Sequence, residues 1–253
     1  MNQKTLDRLR PFFGVVGLVA IWQAAVIGEV IDPVLLPSPA TTLSALHTGL
    51  FESGRLAFDF GKTVQRAAMS IALASAIGIP IGVILGASEK FYRSVEFIID
   101  FFRSTPASAI FPLFLLLFGV GDMTKVYIGA FGASLAIIFN VAYGVMNARK
   151  TRVLAAKVMG APAWQRMVVV LLESLPQTFI GLRMGATLAL VLMITAEMLL
   201  GSVDGLGLRI FEEQQLFNMP GMYAAIFCAG LLGYTINLTL FLLERRFVHW
   251  AGR

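Results

Sequence analysis

Long apolar stretches separated by short charged segments make up most of the chain. A helix needs about 20 apolar residues to cross the hydrocarbon core of a membrane, and several stretches approach that length. They run from about Pro11 to Ile31, Thr63 to Ala87, Ala107 to Gly121, Lys125 to Met146, Pro176 to Gly201 and Met222 to Leu243. The third is short unless its helix begins earlier, near Ser94. The pattern predicts an all-α membrane protein with about six transmembrane helices.

The first apolar stretch has two interpretations, a secretory signal peptide or a retained helix. Its apolar run is long for a signal peptide, and no small-x-small cleavage site follows it. We therefore expect a retained helix and a single membrane domain over residues 1–253.

Composition and charge agree with a membrane location. Hydrophobic residues make up 57% of the chain and charged residues 14%, whereas a soluble domain has about 25% charged residues. Placing the N-terminus in the cytoplasm puts 14 of the 20 Lys and Arg residues in cytoplasmic segments and 4 in the outer ones. This bias predicts a multi-pass inner-membrane protein with both termini cytoplasmic. The net charge of +5 is thereby explained by topology, and we expect no nucleic-acid partner.

Small residues recur at helical spacing along three of the predicted spans. They allow close helix approach, which is interpreted either as tight packing within one subunit or as a surface that slides or dimerises. They are Ser70, Ala74, Gly78, Gly82 and Gly86 in the second span, Gly181, Gly185 and Ala189 in the fifth, and Gly230 and Gly233 in the sixth. Pro80 interrupts the hydrogen bonding of the second span and is expected to kink it.

Polar side chains inside the predicted spans are candidates for a translocation path, because polar groups are costly in a membrane. Glu197 and Arg183 are 14 residues apart on the fifth span, a spacing that predicts a shared face. Asn140, Thr187 and Thr195 are the other candidates. Hydrogen bonding between helices is the alternative for Asn140 and the threonines, and structural anchoring is the alternative for Glu197.

The sequence lacks the motifs of nucleotide hydrolysis and of common hydrolases, namely G-x-x-x-x-G-K-[ST], H-E-x-x-H and G-x-S-x-G. The single cysteine, Cys228, lies in an apolar run, and His47 and His249 are far apart, so we expect no metal ion and no cofactor bound by this chain. Any energy for transport then comes from a partner or an ion gradient. Since no acidic or histidine chain runs through the spans, a partner is favoured.

One basic segment, Val153–Met167, interrupts the apolar pattern between the fourth and fifth spans. Thr151 is placed to cap a short helix, Gly160 to end it, and Pro162 to begin the next helix. Such a projecting helix suits insertion into a groove of another protein. An amphipathic helix lying on anionic lipid is the alternative.

This segment, "LAAKVMGAPAWQRM" followed by Leu175-Pro176, resembles the E-A-A-x-x-x-G cytoplasmic loop of ATP-binding-cassette importer permeases. Further blocks resemble the nitrate, sulfonate, taurine and bicarbonate group of these permeases, in the same order along the chain. They are "LPSP" at 36–39, "RSTPASAIFPLFLLLFGVGDMTK" at 103–125, "GLRMG" at 181–185, "AEMLLGSVDGLG" at 196–207 and "LERRFVHW" at 243–250.

The resemblance implies a type I importer permease fold, with a five-helix core plus an N-terminal helix, assembled as a homodimer. It implies two cytoplasmic ATPase subunits that bind ATP and Mg²⁺, and a soluble protein that delivers the substrate outside. The loop at about 147–166 is then the coupling loop, which receives force from the ATPases. The matched contact residues are Leu154, Ala155, Ala156, Lys157, Met159, Gly160, Ala161 and Pro162.

Two positions depart from the family pattern. Leu154 stands where the motif has Glu, and Leu172 stands where a further Pro is common. The detailed contacts of the loop therefore do not follow from the resemblance.

Other functions stay open from the sequence. One alternative is an ion-driven carrier acting alone, and another is a membrane enzyme that uses Glu197 as an acid or base. The resemblance implies a small anionic solute, with an aromatic acid or a vitamin precursor as the alternative.

Overall fold

A computed structural model describes residues 3–148, 150–248 and 250; for residues 3–12 and for Lys150 it describes the backbone without the side chain. Helices account for the fold within these residues. In chain order they are α1 (Gln3–Ile27), α2 (Pro39–His47), a π-helical turn (Thr48–Glu52), α3 (Arg55–Gly86), α4 (Glu89–Ser104), a 3₁₀ turn (Ala107–Ile110), α5 (Phe111–Phe118), α6 (Asp122–Met146), α7 (Lys150–Val158), α8 (Ala163–Leu199), α9 (Leu206–Gln215) and α10 (Met219–Phe247).

Four of the described helices, α3, α6, α8 and α10, are long and apolar enough to cross a membrane. A fifth span is possible if α4 and α5 are taken together, although the chain bends by 89° between them. The predicted third span is this bent pair, and its first part begins at Glu89. The predicted first span corresponds to α1, whose described apolar portion, Phe13–Ile27, is shorter than the other spans.

Helix α6 lies at the centre of the bundle, between α3 and α8. Its residues Ala133, Ile137 and Val141 are fully buried against Ala74 of α3 and Ala189 of α8. A second apolar cluster joins α8, α9 and α10, and it contains the buried Cys228. The core therefore depends on alanine and β-branched residues that let three long helices pack closely.

The small residues of α3 mediate this close packing. A Cβ atom added at Gly82 would lie 2.6 Å from Cβ of Val141, and one added at Gly86 would lie 2.6 Å from the carbonyl oxygen of Ala142. Gly185 of α8 faces α6 in the same way, 3.0 Å from the carbonyl oxygen of Ala133. In these helices the stripes are packing surfaces within one subunit, as the first interpretation predicts. Gly230 of α10 has no such neighbour within 4 Å.

Helices α3 and α8 are longer than the sequence pattern predicts. Helix α3 begins at Arg55 and continues through Pro80, and α8 begins at Ala163 and continues through Pro176. With 37 residues, α8 is about 55 Å long at 1.5 Å per residue. It therefore extends well beyond a hydrocarbon core of about 30 Å.

Candidate functional site

The predicted coupling loop forms a helical hairpin made of α7, a tight turn and the first residues of α8. Gly160 adopts φ +80° and donates its backbone N–H to the carbonyl of Lys157 over 3.1 Å. The N–H of Ala161 reaches the carbonyl of Ala156 over 2.9 Å. These two bonds form a Schellman motif, in which glycine at the left-handed position ends the helix. The predicted role of Gly160 is thus confirmed, whereas Thr151 lies inside α7 and Pro162 immediately precedes α8.

The tip of this hairpin presents apolar side chains to the exterior. Val158 is 81% exposed and Met159 85% exposed, and Leu154 and Trp164 are exposed as well. Ala155, Lys157 and Pro162 are exposed too, whereas Ala156 and Ala161 are partly covered. Large apolar side chains clustered on an exposed surface are typical of an interaction site.

The base of the hairpin is attached to the bundle by charge and by packing. Arg152 of α7 forms an ion pair with Glu173 of α8, whose side chain is 11% exposed. Val153 lines a cavity of 1060 Å³ between α7 and the neighbouring ends of α3, α4 and α6, together with Gly86 and Tyr92. The hairpin is therefore attached to α8, and the cavity lies between it and the ends of α3, α4 and α6.

The predicted path residues do not form one cluster. Asn140 is buried between α6 and α8: its side-chain oxygen accepts from Gln177 over 2.9 Å, and its amide donates to the carbonyl of Ala136 over 2.8 Å. Thr195 donates to the carbonyl of Val191 within α8. Arg183 and Thr187 lie on the side of α8 that meets α10. The geometry of Asn140 fits the interhelical alternative.

Glu197 lies at the opposite end of α8 from the hairpin and is fully buried. One carboxylate oxygen accepts a hydrogen bond from Arg66 of α3 over 2.8 Å, and the other accepts from the N–H of Gly207 over 2.9 Å. The hydroxyl of Thr63 lies 3.0 Å from both oxygens. Because α3 and α9 supply these donors, the carboxylate is anchored to neighbouring helices, whereas Arg183 meets α10.

Arg66 is the centre of a larger cluster, called here the Arg66 network and comprising Thr63, Arg66, Asp122, Glu197 and Asp204, of which Asp122 is the exposed member. Arg66 is 2% exposed. It donates to Asp122, the first residue of α6, over 2.6 Å and also pairs with Asp204. One guanidinium thereby joins α3, α6, α8 and the α8–α9 loop.

The α8–α9 loop fits tightly onto this network. The N–H of Gly205 donates to Asp59 over 3.0 Å, and the N–H of Leu206 donates to Thr63 over 2.8 Å. Asp59 also pairs with Arg209 of α9 over 2.6 Å. A Cβ atom added at Gly205 would lie 2.5 Å from the carboxyl carbon of Glu197, so this position requires glycine.

Sequence reasoning identified Glu197 but missed its partner Arg66 and the two acids that pair with Arg66. Arg66 lies 131 positions before Glu197, so no local spacing connects the two residues. The available signal was that Arg66 is a charged residue inside a predicted span, which requires a partner in a membrane.

The described residues contain no group of three or more His, Cys, Asp or Glu side chains placed to hold a metal ion. One end of the bundle carries the exposed apolar tip of the hairpin, and the other carries the Arg66 network.

Comparison with known proteins gives a consistent picture. A family model described as "binding-protein-dependent transport system inner membrane component" matches residues 78–250. A Methanocaldococcus jannaschii protein provisionally named an ABC transporter permease is 31% identical over 240 residues, which cover 92% of this chain and 88% of that one. The Escherichia coli taurine transport system permease protein is 26% identical, with 93% and 87% covered. The Synechococcus elongatus nitrate import permease protein is 27% identical, with 97% and 90% covered.

Among solved structures, an inward-facing conformation of the MetNI methionine ABC transporter contains a chain that matches with a TM-score of 0.68. The identity is 21%, and the match covers 77% of this chain and 97% of that chain. This likeness supports the type I importer permease fold.

Proposed function

Because this chain belongs to the family of binding-protein-dependent transport system inner membrane components, we propose that it forms, with a second copy of itself, the membrane path of an importer driven by ATP hydrolysis in two partner subunits. The family makes the chain a permease subunit. The observation that supports the coupling role is the hairpin, whose tip is apolar and exposed, whereas its base is attached to α8 by the ion pair between Arg152 and Glu173.

The hairpin is the contact for the ATPase subunits. Val158, the last residue of α7, and Met159, which follows it, are the most exposed apolar side chains of the hairpin, and burying them in a groove of a partner favours association. The contact residues are those matched to the family loop: Leu154, Ala155, Ala156, Lys157, Met159, Gly160, Ala161 and Pro162. ATP and Mg²⁺ bind to the partners in this scheme, and the chain holds no cofactor of its own.

The orientation follows from the same assignment. With the hairpin in the cytoplasm, the Arg66 network and α9 lie near the outer surface, where a soluble binding protein delivers the solute. Both termini are then cytoplasmic, in agreement with the excess of Lys and Arg in the segments assigned to that side.

The proposed substrate is a small anion. Taurine and nitrate, which appear in the names of two relatives, share a negatively charged group with several oxygen atoms. An aromatic acid or a vitamin precursor is the second possibility, since the wider family resemblance includes such solutes.

We place the path along the surface of α8 that carries Arg183 and Thr187. These side chains reach the outside of the single chain, as a path between two copies requires. Asn140 and Glu197 have hydrogen-bond partners on neighbouring helices, which favours an anchoring role for both, and Thr195 bonds to its own helix.

Replacement of Gly160 tests the coupling role. Gly160→Trp places a side chain at φ +80° with no atom within 4 Å, so it disrupts the helix end without filling the core. We expect ATP-dependent uptake to fall to background while membrane insertion and the amount of protein are unchanged. Gly54→Trp is the matched control, because Gly54 has φ +66° and an equally open site far from the hairpin. Normal uptake with Gly160→Trp contradicts the coupling role.

A further inference from the structure

Helices α8 and α10 meet along a line of polar and charged side chains, called here the α8–α10 seam and comprising Arg183, Thr187, Asn237, Phe241, Glu244 and Arg245. The amide of Asn237 donates to the hydroxyl of Thr187 over 3.2 Å. About one helical turn along, a guanidinium nitrogen of Arg183 lies 3.5 Å from a carboxylate oxygen of Glu244. On α10 the seam thus extends over two turns, through Asn237, Phe241 and Glu244 at positions i, i+4 and i+7.

The charges of the seam are not balanced. The Cζ atoms of Arg183 and Arg245 lie 5.6 Å and 5.5 Å from the centre of the Phe241 ring, so two guanidinium groups share one ring. Glu244 supplies one carboxylate for these two positive charges. The seam therefore carries an excess of one positive charge.

The pairing of Arg183 is loose compared with that of Arg66. Its contact with Glu244 is longer than an ordinary charge-assisted hydrogen bond, and the Glu244 oxygen that faces it is buried without a hydrogen-bond partner. The Arg183 side chain is 40% exposed. A guanidinium has five N–H donors in a planar fork, and several of them stay free to bind an oxygen-rich anion.

Direct contact with lipid tails is unfavourable for the charged side chain of Arg183. Arg183 lies 16 residues before the end of α8, which is about 24 Å of helix. This distance lies within a hydrocarbon core of about 30 Å. An intramembrane arginine faces a partner, a bundle interior or a water-filled cavity. Glu244 is a loosely held partner and the Arg183 side chain is 40% exposed, an arrangement that fits a side chain facing a water-filled path.

We propose that the α8–α10 seam is an anion-binding site on the path, in which Arg183 and Arg245 bind the oxygen atoms of the solute. Glu244 is the internal counter-ion that occupies Arg183 when the solute is absent, and the entering anion replaces it. Asn237 and Thr187 are uncharged hydrogen-bonding side chains of the site, and Thr187 lies about one turn of α8 from Arg183. This inference rests on the proposed function and assigns the chemical class of its substrate, a sulfonate-like or nitrate-like oxyanion.

The reactivity of a single thiol tests the site without any ATPase subunit. Cys228 is the chain's single cysteine and is buried, so Cys228→Ala gives a background into which Thr187→Cys is introduced. The full-length chain is placed in phosphatidylcholine nanodiscs. The introduced thiol is treated with sulfonatoethyl methanethiosulfonate, an anion, and with its trimethylammonium analogue, a cation.

We expect the anionic reagent to react faster than the cationic one, because the positive site concentrates anions. Arg183→Gln then lowers the anionic-to-cationic rate ratio about tenfold, Glu244→Gln raises it, and millimolar nitrate slows the anionic reagent. Arg183→Lys keeps the charge but loses the planar fork, so it preserves the rate ratio and weakens protection by nitrate. Thr239→Cys is the control: it is an exposed threonine on α10 outside the seam, and its ratio stays unchanged in Arg183→Gln.

Two outcomes overturn the inference. A rate ratio that is insensitive to Arg183→Gln, with no protection by nitrate in the chain that keeps Arg183, shows that the seam binds no anion. Loss of the anionic preference on adding phosphatidylglycerol, again without protection by nitrate, shows that the arginines bind lipid phosphate. Because the assay uses neither ATP nor a partner, either outcome leaves ATP-driven transport by the assembled complex to be judged separately.

Discussion

Leu154 occupies the position at which the resembling loop motif carries glutamate, and the structure shows where an acid lies instead. Glu173 of α8 is close to the base of α7 and pairs with Arg152. Leu154 itself is exposed beside Val158 and Met159. In this chain the acidic group is therefore Glu173, which stabilises the hairpin from α8. Leu154, at the motif position of the glutamate, adds apolar surface to the tip.

Exchanging the two charges of the Arg152–Glu173 ion pair tests whether this pair stabilises the hairpin. Arg152→Glu and Glu173→Arg each place like charges together, so each is expected to lower ATP-dependent uptake about two- to fivefold, in line with a partly exposed pair worth up to about 1 kcal/mol. The double variant restores the attraction and is expected to recover most of the uptake. If uptake by the double variant falls as much as the losses of the two single variants combined, the ion pair does not stabilise the hairpin.

Arg66 matters for stability rather than for contact with a partner. Arg66→Gln leaves Glu197 fully buried without its counter-charge, and loss of one member of a buried ion pair costs about 3–5 kcal/mol. We expect a clearly lower unfolding temperature of the purified protein in detergent. Arg93→Gln is the control, because Arg93 pairs with Glu89 where both side chains are about 70% exposed, and its unfolding temperature should change little.

At the scale of the elements, close packing of α3 on α6 leads to a steric prediction. Gly82→Leu inserts a side chain where a Cβ atom alone would lie 2.6 Å from Val141, and overpacking of this kind costs about 1–3 kcal/mol. The expected result is reduced thermal stability and poor recovery of folded protein. Gly61→Leu lies on the same helix with nothing within 4 Å, and it should behave like the unmodified chain. Equal behaviour of the two variants refutes the packing role.

The elements also show how far the sequence pattern is informative. Helix α6 begins and ends within a few residues of its predicted bounds, because its apolar run is bordered by charged or polar residues on both sides. Helix α8 begins at Ala163, directly after the Pro162 that the sequence predicts to start a helix, and it continues without a break through Pro176, where the sequence predicts the membrane span to begin. The bend between α4 and α5 falls at Thr105 and Pro106, where the residue before the proline leaves the helical conformation.

At the scale of the whole molecule, the two ends of the bundle are connected by long helices. Helix α6 runs from Asp122 in the Arg66 network to Met146 beside the hairpin cavity, about 36 Å at 1.5 Å per residue. Helix α8 carries Glu197 near one end and Glu173 near the hairpin. Helices α6 and α8 pack tightly on each other, so in the proposed function they would transmit movement of the hairpin to the opposite end.

The hairpin could be recognised from sequence, whereas the Arg66 network and the seam could not. Gly160 and its flanking residues form a local motif whose conformation depends on neighbours in the chain. Arg66, Asp122 and Glu197, or Arg183 and Glu244, meet only after distant helices pack. A charged residue in an apolar run indicates that a partner exists without identifying it.

The most direct test of the central claim is solute uptake into proteoliposomes that contain this chain, its cognate ATPase subunits and its binding protein, measured with labelled nitrate or taurine. We predict accumulation against a gradient that requires both ATP and the ATPase subunits, and no flux through the chain alone. Gradient-driven flux by the chain without the ATPase, at a rate equal to that of the complete complex, contradicts the account and identifies a stand-alone carrier.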